Sequence, residues 1–367
     1  MGEVDVIRVA AVGDLIGIQR GGGYPFSSVE AYFRGADIVF GNYEGVITSH
    51  SNTVREKAVV INVEASAVEN VRRAGFSVLN VANNHIQDCG GCAARDTMEK
   101  LRRAGILTTG AGESCEEAWK EVTMDVRGRP ITFIAAAEAA DESGNGFNVA
   151  RLDNGRIIER IVDCARGDNF VIVSLHWGTE NVFYPSPKQQ RVARALVDAG
   201  AAVVLGHHPH RVQGIERYRN GLIVYSLGNF NFMSCGIGLN PHENTSMICE
   251  IIVPRHGAPD YRVVPVVIDE EYRPQPVENT SQGDAILKHV EDISRPLAAG
   301  IAEDWWLAEV ARPYLAGNLH AFGIRIRRYG YRHAIACVRW LLCRYNRRVY
   351  VAAVRRRLGR CPGGAAR

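Results

Sequence analysis

The sequence predicts an α/β fold with a C-terminal helical, Arg-rich extension. Short β-branched segments alternate with segments of helical period from residue 7 onward, which is typical of strands and helices packed in layers. Of the 367 residues, 46% are hydrophobic and 23% are charged, as in a globular protein with one large domain and an appendage. Near residue 268 the chain becomes irregular and rich in Pro and Glu. We therefore predict a domain over residues 1–270 and a mostly helical, basic extension over residues 271–367.

The predicted elements follow in order along the chain. The first strands lie at 7–12, 38–40 and 78–81, with helices at 65–74 and 95–104. Strands at 121–126 and 130–135 form a hairpin, since Arg127-Gly128-Arg129 joins them. A strand at 170–175, a helix at 189–198 and a strand at 202–205 repeat the alternation, and strands at 222–226, 247–253 and 261–267 follow. Helices are predicted at 285–293 and 304–310, and a basic amphipathic helix or helix pair between 335 and 358.

The net charge of +3 conceals two parts of opposite sign. From residue 311 to 367 the chain has 14 Arg and no Lys, Asp or Glu, whereas the preceding 310 residues carry a net charge of −11. The Arg-rich segment at 312–360 has three interpretations. It packs against the acidic body, it adsorbs to an anionic membrane surface, or it binds a polyanion such as polyglutamate. Nucleic acid is not favoured as its partner.

The composition predicts a cytoplasmic protein, with a peripheral position at the inner membrane face as the alternative. Nine Cys without regular spacing argue against a secreted disulfide scaffold. The N-terminal residues lack the features of a signal peptide, and no apolar run of about 18 residues predicts a transmembrane helix. Cys89-Gly90-Gly91-Cys92 has redox spacing, a weak signal that leaves a regulatory disulfide open.

Polar side chains cluster where the predicted strands end. In chain order they are Asp14; Asn42 and Glu44; Asn83, Asn84, His85 and Asp88; His176 and Glu180; and His207, His208 and His210. Because open α/β sheets bind ligands at the carboxyl ends of their strands, we expect these side chains to converge. A single His after a strand is usually structural, but three His within four residues are harder to explain in that way. Carboxylate, amide and imidazole groups together suit one or two divalent metal ions.

Seven motifs resemble those of the CapA family (poly-γ-glutamate capsule biosynthesis), which is related to the calcineurin-like metallophosphoesterases. They are Val12-Gly13-Asp14, Gly41-Asn42-Tyr43-Glu44-Gly45, Ala82-Asn83-Asn84-His85-Ile86-Gln87-Asp88, Thr108-Thr109-Gly110-Ala111-Gly112, His176-Trp177-Gly178-Thr179-Glu180, Gly206-His207-His208-Pro209-His210 and Tyr225-Ser226-Leu227-Gly228-Asn229-Phe230. They run in order between about residues 7 and 232. The resemblance implies that residues 1–270 form a metallophosphoesterase-like αββα sandwich, two β-sheets flanked by helices, with a metal centre at its rim.

Carried over by motif, the resemblance implies a set of metal ligands for one or two divalent ions (Mn, Fe or Zn). They are Asp14, Glu44, Asn84, His176, His208 and His210. The related phosphoesterases have a histidine two residues after the first aspartate, where this chain has Ile16, so one ion would lose a ligand. Either one of two ions binds weakly, or the centre holds a single ion bound by Glu44, Asn84, His176 and His208, which leaves Asp14 and His210 for a second ion. No nucleotide-binding fingerprint occurs, and no nucleotide cofactor is predicted.

The resemblance makes His85 a histidine that faces the substrate without binding metal. As a general acid it would protonate the leaving group, with Asp88 orienting its ring. A purely structural hydrogen bond between the two is the alternative. Contacts to substrate are predicted for Asn83, Glu180, His207 and Asn229. For Glu180, support of a metal ligand is the alternative, and His207 could also be a ligand or structural.

Residues and resemblance together predict a divalent-metal-dependent enzyme. It would act on an amide, ester or phosphoester bond by hydrolysis or acyl transfer, with the metal polarising a carbonyl or phosphoryl oxygen and activating water. The implied setting is biosynthesis of poly-γ-glutamate, a similar capsule polymer or a related amide metabolite, from a small or polymeric substrate with amide or carboxylate groups. Ile16 disfavours a plain phosphatase. The alternative is a non-catalytic subunit of a capsule synthase that binds a polyanionic polymer or the membrane through its basic tail.

Overall fold

The computed structural model describes residues 6–48, 59–139, 146–232, 242, 244–330, 335, 338 and 342–357. In chain order the strands are β1 (Ile7–Leu15), β2 (Ile38–Tyr43), β3 (Val46–Ile47), β4 (Asn62–Val63), β5 (Val78–Asn80), β6 (Leu107–Thr109), β7 (Ala111–Gly112), β8 (Val122–Val126), β9 (Arg129–Ala137), β10 (Asn148–Val149), β11 (Phe170–His176), β12 (Val203–His207), β13 (Ile215–Tyr218), β14 (Gly221–Val224), β15 (Asn229–Asn231), β16 (Thr245–Val253), β17 (Asp260–Ile268) and β18 (Pro274–Pro276). The helices are α1 (Glu30–Arg34), α2 (Ser66–Ala74), α3 (Gly91–Arg103), α4 (Cys115–Ala118), α5 (Asn154–Cys164), α6 (Pro187–Asp198), α7 (Ser281–Ser294), α8 (Glu303–Tyr329) and α9 (Arg344–Arg357), with a 3-10 turn at Arg295–Leu297.

Two large sheets stack face to face. The first has eight strands in the order β18-β17-β16-β1-β2-β5-β6, with β15 paired to β1. The second has six strands in the order β13-β14-β12-β11-β9-β8, and β8 and β9 form the predicted hairpin. Short pairs form between β3 and β4 and between β7 and β10. At the centre of each sheet the strands are parallel, β1 with β2 and β11 with β12, so their carboxyl ends lie at one edge.

The side chains of each strand alternate between the two faces of its sheet, and this alternation explains how the layers pack. In β1, Val9 and Ala11 pack into the core between the sheets, whereas Ala10 and Val12 pack against α1, α2 and α3 on the outer face. Since both faces are buried, the strand is continuously apolar from Val9 to Val12 instead of alternating with polar residues. The outer face of the second sheet is covered by α5, α6, α8 and α9. The predicted αββα sandwich is therefore confirmed.

Several elements extend beyond their predicted bounds. The strands β1, β11 and β12 include Asp14, His176 and His207, because each of these residues still pairs with a residue of a neighbouring strand. The first sheet continues past residue 270, since Pro274–Pro276 pairs with β17. The division of the chain at residue 270 stays a prediction. The helix α5 was not predicted; Asp153 caps it by accepting a hydrogen bond from the amide of Arg156.

The C-terminal helices pack on the second sheet. Val349 and Ala352 of α9 join the core that contains Trp306 of α8, and Tyr314 lies 3.0 Å from Asn346 between Oη and Oδ1. The helix α9 covers most of the basic helix predicted between 335 and 358; positions 336–337, 339–341 and 358 lie outside the described residues. No described helix has both the length and the apolarity needed to span a membrane.

Candidate metal centre

Strand register brings the predicted site residues to one edge of the sandwich. In the first sheet, Asp14 pairs with Asn42 on one side and with Asn229 on the other. In the second sheet, His176 pairs with His207. Parallel neighbours end together, so the polar residues at their ends meet at one edge, as the sequence predicted.

The inner part of the centre is a fully buried group of Asp14, Glu44 and His176. Their candidate ligand atoms lie within 4.8 Å of one another. The Nδ2 of Asn42 donates to Asp14 Oδ1 at 2.8 Å and to Glu44 Oε1 at 2.9 Å, and lies 3.2 Å from His176 Nδ1. On its other side the His176 ring donates from Nε2 to Asn84 Oδ1 at 2.7 Å.

The outer part is a second group, formed by Glu180, His208 and His210. Their candidate ligand atoms also lie within 4.8 Å of one another. The two groups adjoin, because Asp14 Oδ2 lies 3.2 Å from His210 Nδ1 and the rings of His176 and His208 are 4.6 Å apart between centroids. All six predicted ligands therefore lie in one cluster; their assignment as ligands stays a prediction.

The electrostatics of the inner group favour a cation. Burial raises the pKa of Glu44 well above its ordinary value, and the nearby Asp14 carboxylate raises it further. Burial also opposes ionisation of Asp14, but His207 and His210 outweigh it and hold the Asp14 pKa well below its ordinary value. Burial lowers the pKa of His176 and of His208, which keeps their nitrogens available as metal ligands.

Buried polar atoms in the cluster test whether a divalent ion fits. Glu44 Oε2, His208 Nδ1 and both ring nitrogens of His207 are buried and make no hydrogen bond within the described residues. Leaving such atoms unpaired costs about 1–3 kcal/mol each, so buried groups of this kind normally have a partner. Imidazole nitrogens and carboxylate oxygens are ligands of Mn, Fe and Zn. The residues present thus fit a divalent metal ion.

The loop after β12 holds its histidines in an uncommon backbone conformation. His208 has φ +92° and His210 has φ +55°, in the region that favours glycine. Gly206, just before them, has no room for a side chain, since a Cβ would lie 1.8 Å from the carbonyl oxygen of Tyr225. Such backbone strain concentrates at functional sites, where surrounding contacts maintain it.

His85 and Asp88 form a buried pair on the turn after β5. The carboxylate of Asp88 accepts hydrogen bonds from His85 Nδ1 at 2.8 Å and from the amide of Ile61 at 2.9 Å. Since a carboxylate only accepts, His85 carries a proton on Nδ1 and its Nε2 is the nitrogen that could serve a substrate. The predicted contact between the two residues is therefore present.

The four predicted substrate contacts occupy different environments. Asn83 is buried and its Oδ1 accepts from the amides of His85 and Ile86, so it shapes the turn. Asn229 is buried and its Oδ1 lies 2.8 Å from His210 Nδ1, while His207 is fully buried with its Nδ1 3.4 Å from Asp14 Oδ1. Of the four, Glu180 is the exposed one. Their roles toward substrate stay predictions.

Two residues of the centre were given no role by sequence reasoning. Asn42 was noted as a strand-end residue, but its contact with Asp14, Glu44 and His176 was not foreseen. Arg211 is 2% exposed; it donates to the carbonyl of His210 at 3.0 Å and to Asn181 Oδ1 at 2.8 Å. An arginine so completely buried fixes the backbone next to the histidines. Its position directly after Gly206–His210 was the available signal.

The order of these motifs has a counterpart in a known family. The sequence model of the family described as "Bacterial capsule synthesis protein PGA_cap" matches residues 6–234, more than half of the chain. The chain belongs to this family. The resemblance to CapA proteins inferred from the motifs is confirmed, and the match covers every residue of the cluster.

Relatives of the PGA_cap chain share part of its length. Capsule biosynthesis protein CapA of Bacillus anthracis is 34% identical over 220 residues, which cover 57% of this chain and 54% of that protein. PGA biosynthesis protein CapA of Bacillus subtilis (strain 168) is 32% identical over 294 residues, covering 76% and 75%. The crystal structure of TT1561 of Thermus thermophilus aligns with 70% of this chain and 99% of its own, with 11% identity and a TM-score of 0.35. The chain thus spans about half the length of the first relative.

Proposed function

We propose that this PGA_cap protein is a divalent-metal-dependent enzyme that acts on an amide, ester or phosphoester bond, by hydrolysis or acyl transfer. The observation that carries the proposal is the buried cluster at the edge of the sandwich, where two carboxylates, an amide and three imidazoles meet. Asp14, Glu44, His176 and Asn84 would hold an ion in the inner part. A bound divalent ion supplies Lewis acidity, which polarises a carbonyl or phosphoryl oxygen.

The residues around the cluster would orient the ligands and move a proton. Asn42 bridges Asp14 and Glu44 and fixes the separation of their carboxylates. His85, with Nδ1–H directed to Asp88, would give the proton on Nε2 to the departing oxygen or nitrogen. The Asp88 carboxylate stabilises the protonated ring before the transfer, because the two groups then carry opposite charges.

We propose poly-γ-glutamate or a related polymer or amide metabolite as the setting. The family description and the printed names of both Bacillus relatives support a role in capsule or PGA biosynthesis. A substrate of that class carries amide and carboxylate oxygens, which suit a divalent cation. The exposed Glu180 marks the side of the cluster that solvent and substrate can reach.

The metal content of the purified full chain tests this proposal. We expect at least one divalent ion per chain by elemental analysis, and turnover of γ-glutamyl amide, ester or phosphoester probes that chelation abolishes. His208→Ala should lower the metal content and lose turnover. His85→Ala should keep its metal and lose about 10²–10⁴-fold in turnover, the usual contribution of a general acid. His256→Ala, at an exposed turn outside the cluster, is the matched control and should change neither.

A second candidate function is a non-catalytic subunit of a polymer synthase. A relative in Mycobacterium tuberculosis, 29% identical over 209 residues, is named a probable polyglutamine synthesis accessory protein. If the chain carries no metal, and if the His85 and His208 variants support polymer synthesis as well as the wild type does, the enzyme proposal is wrong and the subunit proposal stands.

A further inference from the structure

We propose that Glu180 is a ligand of a second metal ion, in the outer part of the cluster with His208 and His210. The inference rests on the proposed metal centre and specifies its composition. It replaces the substrate-binding role predicted for Glu180 with a role in holding metal.

The chain lacks one ligand of the related centres, and Glu180 can replace it. Ile16 stands where related phosphoesterases have a histidine, and this side chain is 1% exposed within the core against α1, α2 and α3, so it offers no ligand atom. Without a further donor, a second ion would depend on few protein ligands. Glu180 supplies a carboxylate whose oxygen lies within 4.8 Å of the ligand atoms of His208 and His210. Two imidazoles and a carboxylate form a recognised three-ligand set with open positions for substrate.

The Glu180 backbone is fixed against the histidine loop from both sides. The amide of Trp177 donates to the carbonyl of His207 at 3.0 Å, and the amide of Asn181 donates to the carbonyl of Pro209 at 2.8 Å. Arg211 joins the same two loops through Asn181 Oδ1. Glu180 thus lies between two attachment points, and its proximity to the histidines follows from the fold.

An atom without a hydrogen bond also points to a ligand here. Nδ1 of His208 is buried and has no hydrogen-bond partner within the described residues. The same residue keeps φ +92°, a conformation that costs free energy and persists where surrounding contacts maintain it, as at functional sites. An ion bound between Glu180 and the histidines would pair this nitrogen.

The two parts of the cluster differ in solvent exposure, so we expect their two ions to bind with different affinities. The inner carboxylates of Asp14 and Glu44 are fully buried, whereas Glu180 is exposed. Water competes for an exposed ligand, so we expect the outer ion to bind more weakly and to leave first on chelation. The outer ion would then be the one that meets the substrate.

Metal stoichiometry tests the inference. The full chain is stripped, titrated with Mn²⁺, and analysed by elemental analysis and by electron paramagnetic resonance. We expect two ions per wild-type chain, with a spectrum of exchange-coupled Mn²⁺. Glu180→Gln should keep one ion and lose the coupling. Glu138→Gln is the matched control, because this exposed glutamate accepts from the amide of Gly178 in the same loop at 3.1 Å. It should retain both ions.

The outcomes separate this inference from the proposed function. If Glu180→Gln keeps both ions and the coupled spectrum, or if the wild type binds one ion, the second site is wrong and the metal centre remains. If the wild type binds no ion, both proposals fail. Glu180→Asp should recover part of the second occupancy, and an unchanged thermal melting curve for Glu180→Gln shows that the loss is local.

Discussion

At the scale of the residue, His85 and Asp88 are joined by a hydrogen bond between one nitrogen and one oxygen. Asp88 is 2% exposed and accepts hydrogen bonds from His85 Nδ1 and from the amide of Ile61. Both N–H groups donate to the same oxygen, Oδ2, so Asp88→Asn can keep both hydrogen bonds but removes the negative charge beside the His85 ring. We expect turnover to fall about 10–100-fold, as for other groups that orient an active-site histidine, with unchanged metal content.

The matched control for this prediction is Asp96→Asn, which changes an exposed aspartate on α3 that pairs with Lys100. It should leave turnover unchanged. Asp88→Asn should add little to the defect of His85→Ala, because both act on the same proton. Additive defects in the double variant would show that Asp88 acts independently of His85.

The sequence could predict the site residues that belong to a recognisable motif. It could not predict residues whose role depends on their distance from side chains elsewhere in the chain. The six predicted ligands each lie at the end of a strand or in the segment after it, and parallel register brings those strand ends together. The role of Asn42 depends on its simultaneous approach to Asp14, Glu44 and His176, which no local pattern encodes. Arg211 is likewise defined by Asn181, which lies thirty positions earlier in the chain.

At the scale of elements, the local periodicity of apolar residues predicted where helices and strands lie better than it predicted where they end. The strand β1 continues into Asp14 because β2 and β15 offer hydrogen bonds on both sides, a tertiary effect that hydropathy does not register. The helix α8 runs over Glu303–Tyr329, far beyond the predicted 304–310. The helix packs against α9, and Tyr314, beyond the predicted end, contacts Asn346, so this support comes from a segment further along the chain.

The helix α7 carries a half-buried histidine that should make stability depend on pH. His289 stacks on His242 at 3.9 Å between ring centroids and meets the edge of Phe183. Its pKa is lowered to about 4, chiefly by burial and also by the neighbouring His242, while the Asp292 carboxylate acts in the opposite direction. The unfolded chain, with an ordinary histidine pKa near 6.5, therefore takes up this proton first as the pH falls. The contribution of His289 to stability is complete above pH 6.5 and lost on approach to about pH 4.

Unfolding by urea at several pH values measures this effect. The full shift corresponds to about 3 kcal/mol, and solvent screening of the partly exposed ring reduces the expected loss to about 1–2 kcal/mol. His289→Phe preserves an aromatic ring for the stack and removes the titration, so its stability should fall less over the same pH range. His256→Gln should follow the wild type. An equal acid dependence in His289→Phe would contradict the assignment.

At the scale of the whole molecule, charge and apolar exposure both concentrate at the C-terminal end. Of the eleven exposed large hydrophobic side chains among the described residues, seven lie between Leu319 and Val354. On α9, Val349 and Ala352 are buried, while Val351 and Val354 are exposed beside Arg347 and Arg355. Helical spacing places the exposed four on the side opposite the core.

Few of the described arginines in the C-terminal helices form ion pairs with the acidic part of the chain, residues 1–310. Arg348 lies 3.3 Å from Glu303, but Arg327, Arg347 and Arg355 form no ion pair in the part of the chain that the structure describes. Apolar contacts therefore attach α9 to the second sheet and leave arginines facing outward with valines between them. This is the arrangement of a helix that lies in a membrane interface. Of the three interpretations of the tail, we propose adsorption to an anionic membrane.

Sedimentation of the full chain with lipid vesicles tests the tail directly. We expect binding to vesicles of phosphatidylcholine and phosphatidylglycerol in equal amounts, weakened by salt, and little binding to phosphatidylcholine alone. Each arginine near such a surface contributes about 1 kcal/mol, so Arg347→Gln/Arg355→Gln should weaken binding roughly 30-fold. Arg103→Gln/Arg166→Gln removes equal charge from exposed sites elsewhere and should leave most of the binding intact. Val351→Ser/Val354→Ser separates the remaining interpretations: a bilayer requires the valines, whereas a soluble polyglutamate would bind through the arginines alone. Retention of polyglutamate without vesicle binding would therefore overturn the membrane proposal.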